Sequence, residues 1–197
     1  MRRSALVPID MGELIKLYTQ IAVLRRGPQD LPTSALLMVL TIGAYLAVDV
    51  LLIGVLPPAA SGTGTAPGAA EDALHGWPGL LLLDTLFMYL WYAVLLRIFG
   101  HPERTLQTVS AVFGFRIVLA LPLFLSNWLW ARFEHDATWS VPVGILGVVV
   151  LVWQITANAR IVKAALEVTS ATSVALVILQ VFSQLLLAYS LLPALEG

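Results

Sequence analysis

Apolar residues run almost unbroken along this chain in five long stretches, separated by short polar segments. They cover about 33–56, 78–99, 106–130, 141–159 and 169–192, the third interrupted by Pro122. A bilayer core is about 30 Å thick, and a helix of about 20 apolar residues crosses it. The runs are continuous rather than alternating, which favours helices over a transmembrane β-barrel. The pattern therefore predicts an all-α polytopic membrane protein with five transmembrane helices. Thirty-two residues precede the first run, which exceeds the roughly 7–15 residues of a signal-peptide apolar region, so it reads as a retained helix.

A different periodicity precedes the spans. Leu14, Leu17, Tyr18, Ile21 and Leu24 recur at helical spacing, while Lys16, Gln20, Arg25 and Arg26 lie largely off that stripe. Asp10 with Glu13 forms a capping-box pattern, and Gly27-Pro28 is a stop signal. Residues 10–26 thus read as an amphipathic helix. Its stripe lies on the cytoplasmic leaflet or packs against the cytoplasmic ends of the spans. The chain divides into a cytoplasmic segment, 1–30, and a transmembrane domain, 31–197.

Composition agrees. Of 197 residues, 59% are hydrophobic and 12% charged, with a mean hydropathy of +0.88. A soluble domain carries about 25% charged residues. A net charge of −1 removes the basic footprint that nucleic-acid binding needs, so no nucleic-acid partner is expected. The absence of cysteine excludes disulfides, thiolate metal sites and a cysteine nucleophile.

The position of the charges sets an orientation. Nine of the eleven Lys and Arg residues fall on one set of sides and Arg132 alone on the other, with Arg116 inside the third span. The positive-inside rule then places the N-terminus in the cytoplasm and the C-terminus outside, in a multi-pass cell (inner) membrane protein. Trp77, Trp128, Trp130 and Trp139 fall at the outer boundary, where indole rings prefer the headgroup level. The outer segment 57–77 opens Pro57-Pro58-Ala59-Ala60-Ser61-Gly62-Thr63-Gly64, a turn-rich linker. It lacks the Lys-Ser/Thr ending of a phosphate loop.

Three charges fall at membrane depth, where they are costly: Asp49, Asp84 and Arg116. By helical rise, Asp49 lies roughly 10 Å and Asp84 roughly 9 Å below the outer boundary. Arg116 lies roughly 21 Å below it, and its long side chain can reach outward toward either carboxylate. The three form a candidate intramembrane polar network. It pins helices together or relays protons or ions. Gln154, Thr156, Asn158, Gln180, Ser183 and Gln184 supply interhelical hydrogen bonds, and Ser110, Gly114, Gly144 and Gly147 permit close helix approach. His75, His101 and His135 sit in loops or at span ends without zinc-ligand spacing, and HExxH and GxSxG motifs are absent. No catalytic, cofactor or metal site is expected, and the chain does not read as an enzyme.

The segment Phe99-Gly100-His101-Pro102-Glu103-Arg104-Thr105-Leu106-Gln107-Thr108-Val109, followed by Gly114 and Leu121-Pro122-Leu123, resembles the loop and third span of Yip1-domain membrane proteins. Leu24-Arg25-Arg26-Gly27-Pro28-Gln29-Asp30-Leu31-Pro32 resembles the approach to the first span in small bacterial inner-membrane proteins of this type. The resemblance implies five spans, a cytoplasmic N-terminus and a short C-terminus on the far side. For bacterial members it implies no settled activity; the expectation is a five-helix scaffold or adaptor of this type, acting through helix packing and the interfacial N-terminal helix, with a membrane-protein partner or a second copy as its partner. Eukaryotic Yip1-like proteins are linked to vesicle traffic and small GTPases through a long cytoplasmic N-terminal region, which here is about 30 residues. The alternative from the residues themselves is a small transporter or channel subunit using Asp49, Asp84 and Arg116.

Overall fold

The computed structural model describes residues 11–22, 25, 27–55, 69–133 and 135–195; side chains at 11, 14, 15, 53–55, 69–77, 188, 189 and 191–195 are not described. Among the described residues six α-helices follow one another: α1 Met11–Ala22, α2 Ala35–Val55, α3 Ala69–Ile98, α4 Thr105–Phe133, α5 Ser140–Leu166 and α6 Ser170–Leu195. Short 3-10 turns, Pro28–Asp30 and Pro102–Arg104, precede α2 and α4. Helices α2 to α6 each carry a stretch long and apolar enough to cross a membrane. The protein is all-α, with five membrane-spanning helices.

Local chemistry sets the helix ends. The Ser34 Oγ accepts from the Leu37 amide at 3.3 Å and starts α2 as an N-cap. Thr169 does the same for α6 through the Thr172 amide at 3.2 Å. The Asp136 Oδ1 accepts from the Thr138 and Trp139 amides, folding the loop before α5 into an Asx turn. Gly100 turns the chain out of α3 with φ +82, a left-handed conformation that glycine adopts without strain. α3 starts nine residues before the apolar run that announces it. It draws Ala69, Ala70, Glu71 and Asp72 into helix ahead of Pro78. The linker ahead of α3 is therefore shorter than the sequence suggests.

α4 is the centre of the molecule. Of its span, 56% is buried inside the protein, against 17–28% for the others. Thr108–Phe115 is buried continuously, on all sides of the helix, the mark of a helix enclosed by others. α2 and α5 form its largest interfaces, α1 and α3 flank it, and α6 closes the ring against α5 and α3. The outward faces carry Leu36, Leu40, Leu82, Leu121, Ile145 and Leu186, all more than half exposed. That surface matches acyl chains and would be a gross exposure in water. Trp128, Trp130 and Trp139 are exposed at the end where α4 meets α5, in keeping with an interfacial belt. Trp77 is outside the described side chains.

α1 packs on the bundle. The Tyr18 ring lies on Gly114 of α4, where a Cβ would intrude into it, and its hydroxyl meets Thr41 Oγ1 of α2 at 2.9 Å. The Trp153 indole of α5 donates to the Ala22 carbonyl at 2.9 Å, satisfying a group left open at a helix C-terminus. Ile21 and Ala22 are buried. Of the expected apolar stripe, Leu17, Tyr18 and Ile21 face this contact; the Leu14 side chain, Leu24 and the Asp10 half of the capping box lie outside the described residues. Gly114 thus serves α1 rather than a neighbouring span. Gly144 and Gly147 do sit between α4 and α5, where a Cβ would reach ordinary contact with Trp130 and Ser126.

Candidate functional site

The three charged residues at membrane depth come from α4 and the two helices, α2 and α3, that pack on it. On α2, Thr41, Tyr45 and Asp49 recur every four residues and so share one face. Thr41 and Tyr45 are buried and Asp49 is half-buried. Arg116 follows directly on the buried stretch of α4. Asp84 faces it from α3.

The Arg116 Nη1 stands 3.1 Å from the Asp84 Oδ2, an ion pair in which the arginine side chain is 15% and the aspartate side chain 35% exposed. The same Nη1 donates to the Tyr45 hydroxyl at 3.3 Å, and the guanidinium carbon sits 5.9 Å from the Tyr45 ring centroid. That distance is within cation–π range. The other Asp84 oxygen, Oδ1, accepts from the Gln184 Nε2 of α6 at 2.7 Å. Asp49 lies beside the Tyr45 hydroxyl, within electrostatic reach of Arg116 and Asp84. The sequence-predicted trio is thus brought together, but unequally. Arg116 pairs directly with Asp84, and Asp49 joins through Tyr45. The depths expected for Asp84 and Arg116 differ by roughly 12 Å, and the long arginine side chain takes up much of that gap.

Two rungs bind α3 to α6. Asp84 meets Gln184, and two turns further along α3 the buried Tyr92 hydroxyl donates to the Gln180 Oε1 at 2.7 Å. As the α3 number rises the α6 number falls, as antiparallel helices require. Gln180 and Gln184 were legible as a polar face of α6. Tyr45 and Tyr92 are not legible in this way, because an isolated tyrosine in an apolar run carries no signal of what its hydroxyl meets. The Arg116 Nε is buried and has no hydrogen-bond partner, as do Thr108 Oγ1, Ser110 Oγ and Asn158 Oδ1.

A connected chain of polar groups, Asp49–Tyr45–Arg116–Asp84–Gln184, therefore crosses α2, α4, α3 and α6. It can tie four helices together, or it can pass charge along its length. Cavities of about 300 to 370 Å³ lie elsewhere, at the two ends of the bundle: one is lined by Leu129, Phe133, Trp139 and Leu146, the other two flank Pro28 and Gln29. Among the described residues no group of three His, Asp or Glu side chains is placed to hold a metal ion. His101 stands beside Glu103 at 3.6 Å at the end of α3, away from this chain. Compared with known proteins, the sequence matches no family model and no curated protein, and the fold matches no solved structure.

Proposed function

We propose that this integral membrane protein is a non-catalytic scaffold or adaptor of the Yip1-like type. On this reading it lies in the cell (inner) membrane with its N-terminus cytoplasmic, and acts through a membrane-protein partner or a second copy. The observation that carries it is the engagement of Asp84: one oxygen on Arg116 and the other on Gln184. A carboxylate held from two helices ties the bundle, and its exchange with a passing ion would cost both contacts.

A second reading, a small transporter or channel subunit, has its own support. The Arg116 Nε lacks a partner, and Asp84 is about one-third exposed. Flux measured in proteoliposomes under proton, sodium and potassium gradients separates the two. The scaffold reading expects no flux above protein-free vesicles, and lowered thermal stability for Asp84→Asn. Flux that is lost in Asp49→Asn or Asp84→Asn assigns the second reading instead.

A further inference from the structure

Charge does not balance in the polar chain that crosses the bundle. It holds two carboxylates, Asp49 and Asp84, and one guanidinium, Arg116. Asp84 is the ion-pair partner of Arg116 at 3.1 Å, and its other oxygen accepts from Gln184. Asp49 has neither contact. Its hydrogen-bond neighbour is the neutral Tyr45 hydroxyl, and Arg116 and Asp84 act on it through their charges alone. Arg116 leaves its Nε without a partner rather than giving it to Asp49. One negative charge is therefore unmatched, on a half-buried side chain about 10 Å below the outer boundary. A charge at that depth is costly until a counter-charge meets it.

The chain itself brings no second cation to that level. α2 and α6 carry no Lys or Arg, and neither does the linker 56–68. On α3 the only one is Arg97, thirteen residues past Asp84, and on α4 beyond Arg116 it is Arg132, sixteen residues on, both about 20 Å or more away along the helix. A second copy of the chain would bring the same acidic excess. The face is also open. α2 and α3 each pack on α4 and make no comparable interface with one another, and the Asp84 side chain is 35% exposed. At this depth an occupant from another protein is a helix, because a backbone in hydrocarbon has to satisfy its own hydrogen bonds.

We propose that the face between α2 and α3 seats a transmembrane helix of another protein, through a lysine or arginine of that helix that pairs with Asp49. The new cation makes the cluster neutral, two carboxylates against two basic groups, and its bond to Asp49 is charge-assisted. The proposal rests on the scaffold reading and names the chemistry of its partner: a helix with one basic residue in its outer half, not a second copy.

Association is read by energy transfer between the labelled full chain and synthetic Leu-Ala transmembrane peptides in phosphatidylcholine vesicles. Each peptide has about 22 residues and carries lysine, leucine or glutamate about six residues from one end, near the depth of Asp49 and Asp84. The parent should hold the lysine peptide about tenfold more tightly than the leucine peptide, with the glutamate peptide weakest. Asp49→Asn should erase the lysine preference, and Asp49→Glu should keep it. Equal association of the lysine and leucine peptides with the parent overturns the proposal, and so does a lysine preference that survives Asp49→Asn. Energy transfer between two labelled copies that is lost in Asp49→Asn assigns a second copy and overturns it as well. Proton, sodium or potassium flux that is lost in Asp49→Asn overturns the scaffold reading together with this partner. With neither flux nor lysine preference, this partner falls and the scaffold reading stands.

Discussion

Arg116 concentrates the electrostatics of the molecule in one side chain. Its Nη1 serves both Asp84 and Tyr45. Removing it leaves Asp84 in an apolar surround with Gln184 alone, so Arg116→Leu should lower stability by about 3 kcal/mol. Asp84→Asn keeps a carbonyl for Gln184 and should cost about 1–2 kcal/mol. The double variant should fall short of the sum, because the stranded charge is gone. Denaturant unfolding of the four proteins measures the coupling directly, and additive losses would mean the pair does not interact. Arg104 and Glu167 make a second test, at the end of the bundle. Glu167 terminates α5 with φ 55, a left-handed conformation uncommon outside glycine and asparagine. The Arg104 guanidinium bonds its carboxylate and holds the carboxyl below its ordinary range. A depressed carboxyl stabilises the fold above its unfolded value, and that stabilisation is lost as pH falls through the folded one. The melting temperatures of the parent and Arg104→Gln should therefore converge as pH drops through the carboxylate range. A constant difference from pH 7 to 3 would remove the pair from the account.

Helices divide into those whose position the sequence dictates and those whose position depends on a partner. The five spans were legible because about 20 consecutive apolar residues have one low-energy place. The meeting of Asp84 with Arg116 was legible because rise per residue converts sequence separation into depth. The roles of Tyr45 and Gln184 in closing that pair were not, since which face a helix presents depends on its neighbours' packing. For α1 an apolar stripe fits a lipid surface or a protein groove equally well, and the choice rests on one absent side chain, at Gly114. Gly114→Ala should push the Tyr18 ring away and loosen α1, raising protease cleavage between α1 and α2. Tyr18→Ala in the same chain should restore much of the protection by giving the new methyl room. Cleavage unchanged in Gly114→Ala would show that α1 does not rest on α4 in the membrane.

For the whole molecule, basic residues and exposed tryptophans gather at opposite ends of the bundle. Lys and Arg collect at the ends where α3 meets α4 and α5 meets α6. Exposed tryptophans collect at the opposite end, around the loop between α4 and α5. Cationic side chains resist translocation, whereas indole rings favour either interface, so orientation rests on charge and the tryptophans only mark depth. The chain contains no cysteine, and a single introduced thiol reports its own side of the membrane. Glu103 and Ala137 are exposed and lie at opposite ends of α4, whose 29 residues separate them by about 44 Å. An impermeant maleimide added to intact cells should label Ala137→Cys and leave Glu103→Cys unlabelled until the membrane is opened. The reverse pattern would invert the orientation while keeping α4 as a span. Labelling of both in intact cells would mean that α4 does not cross, and the arrangement of the other four helices around it in the bilayer would fall with it.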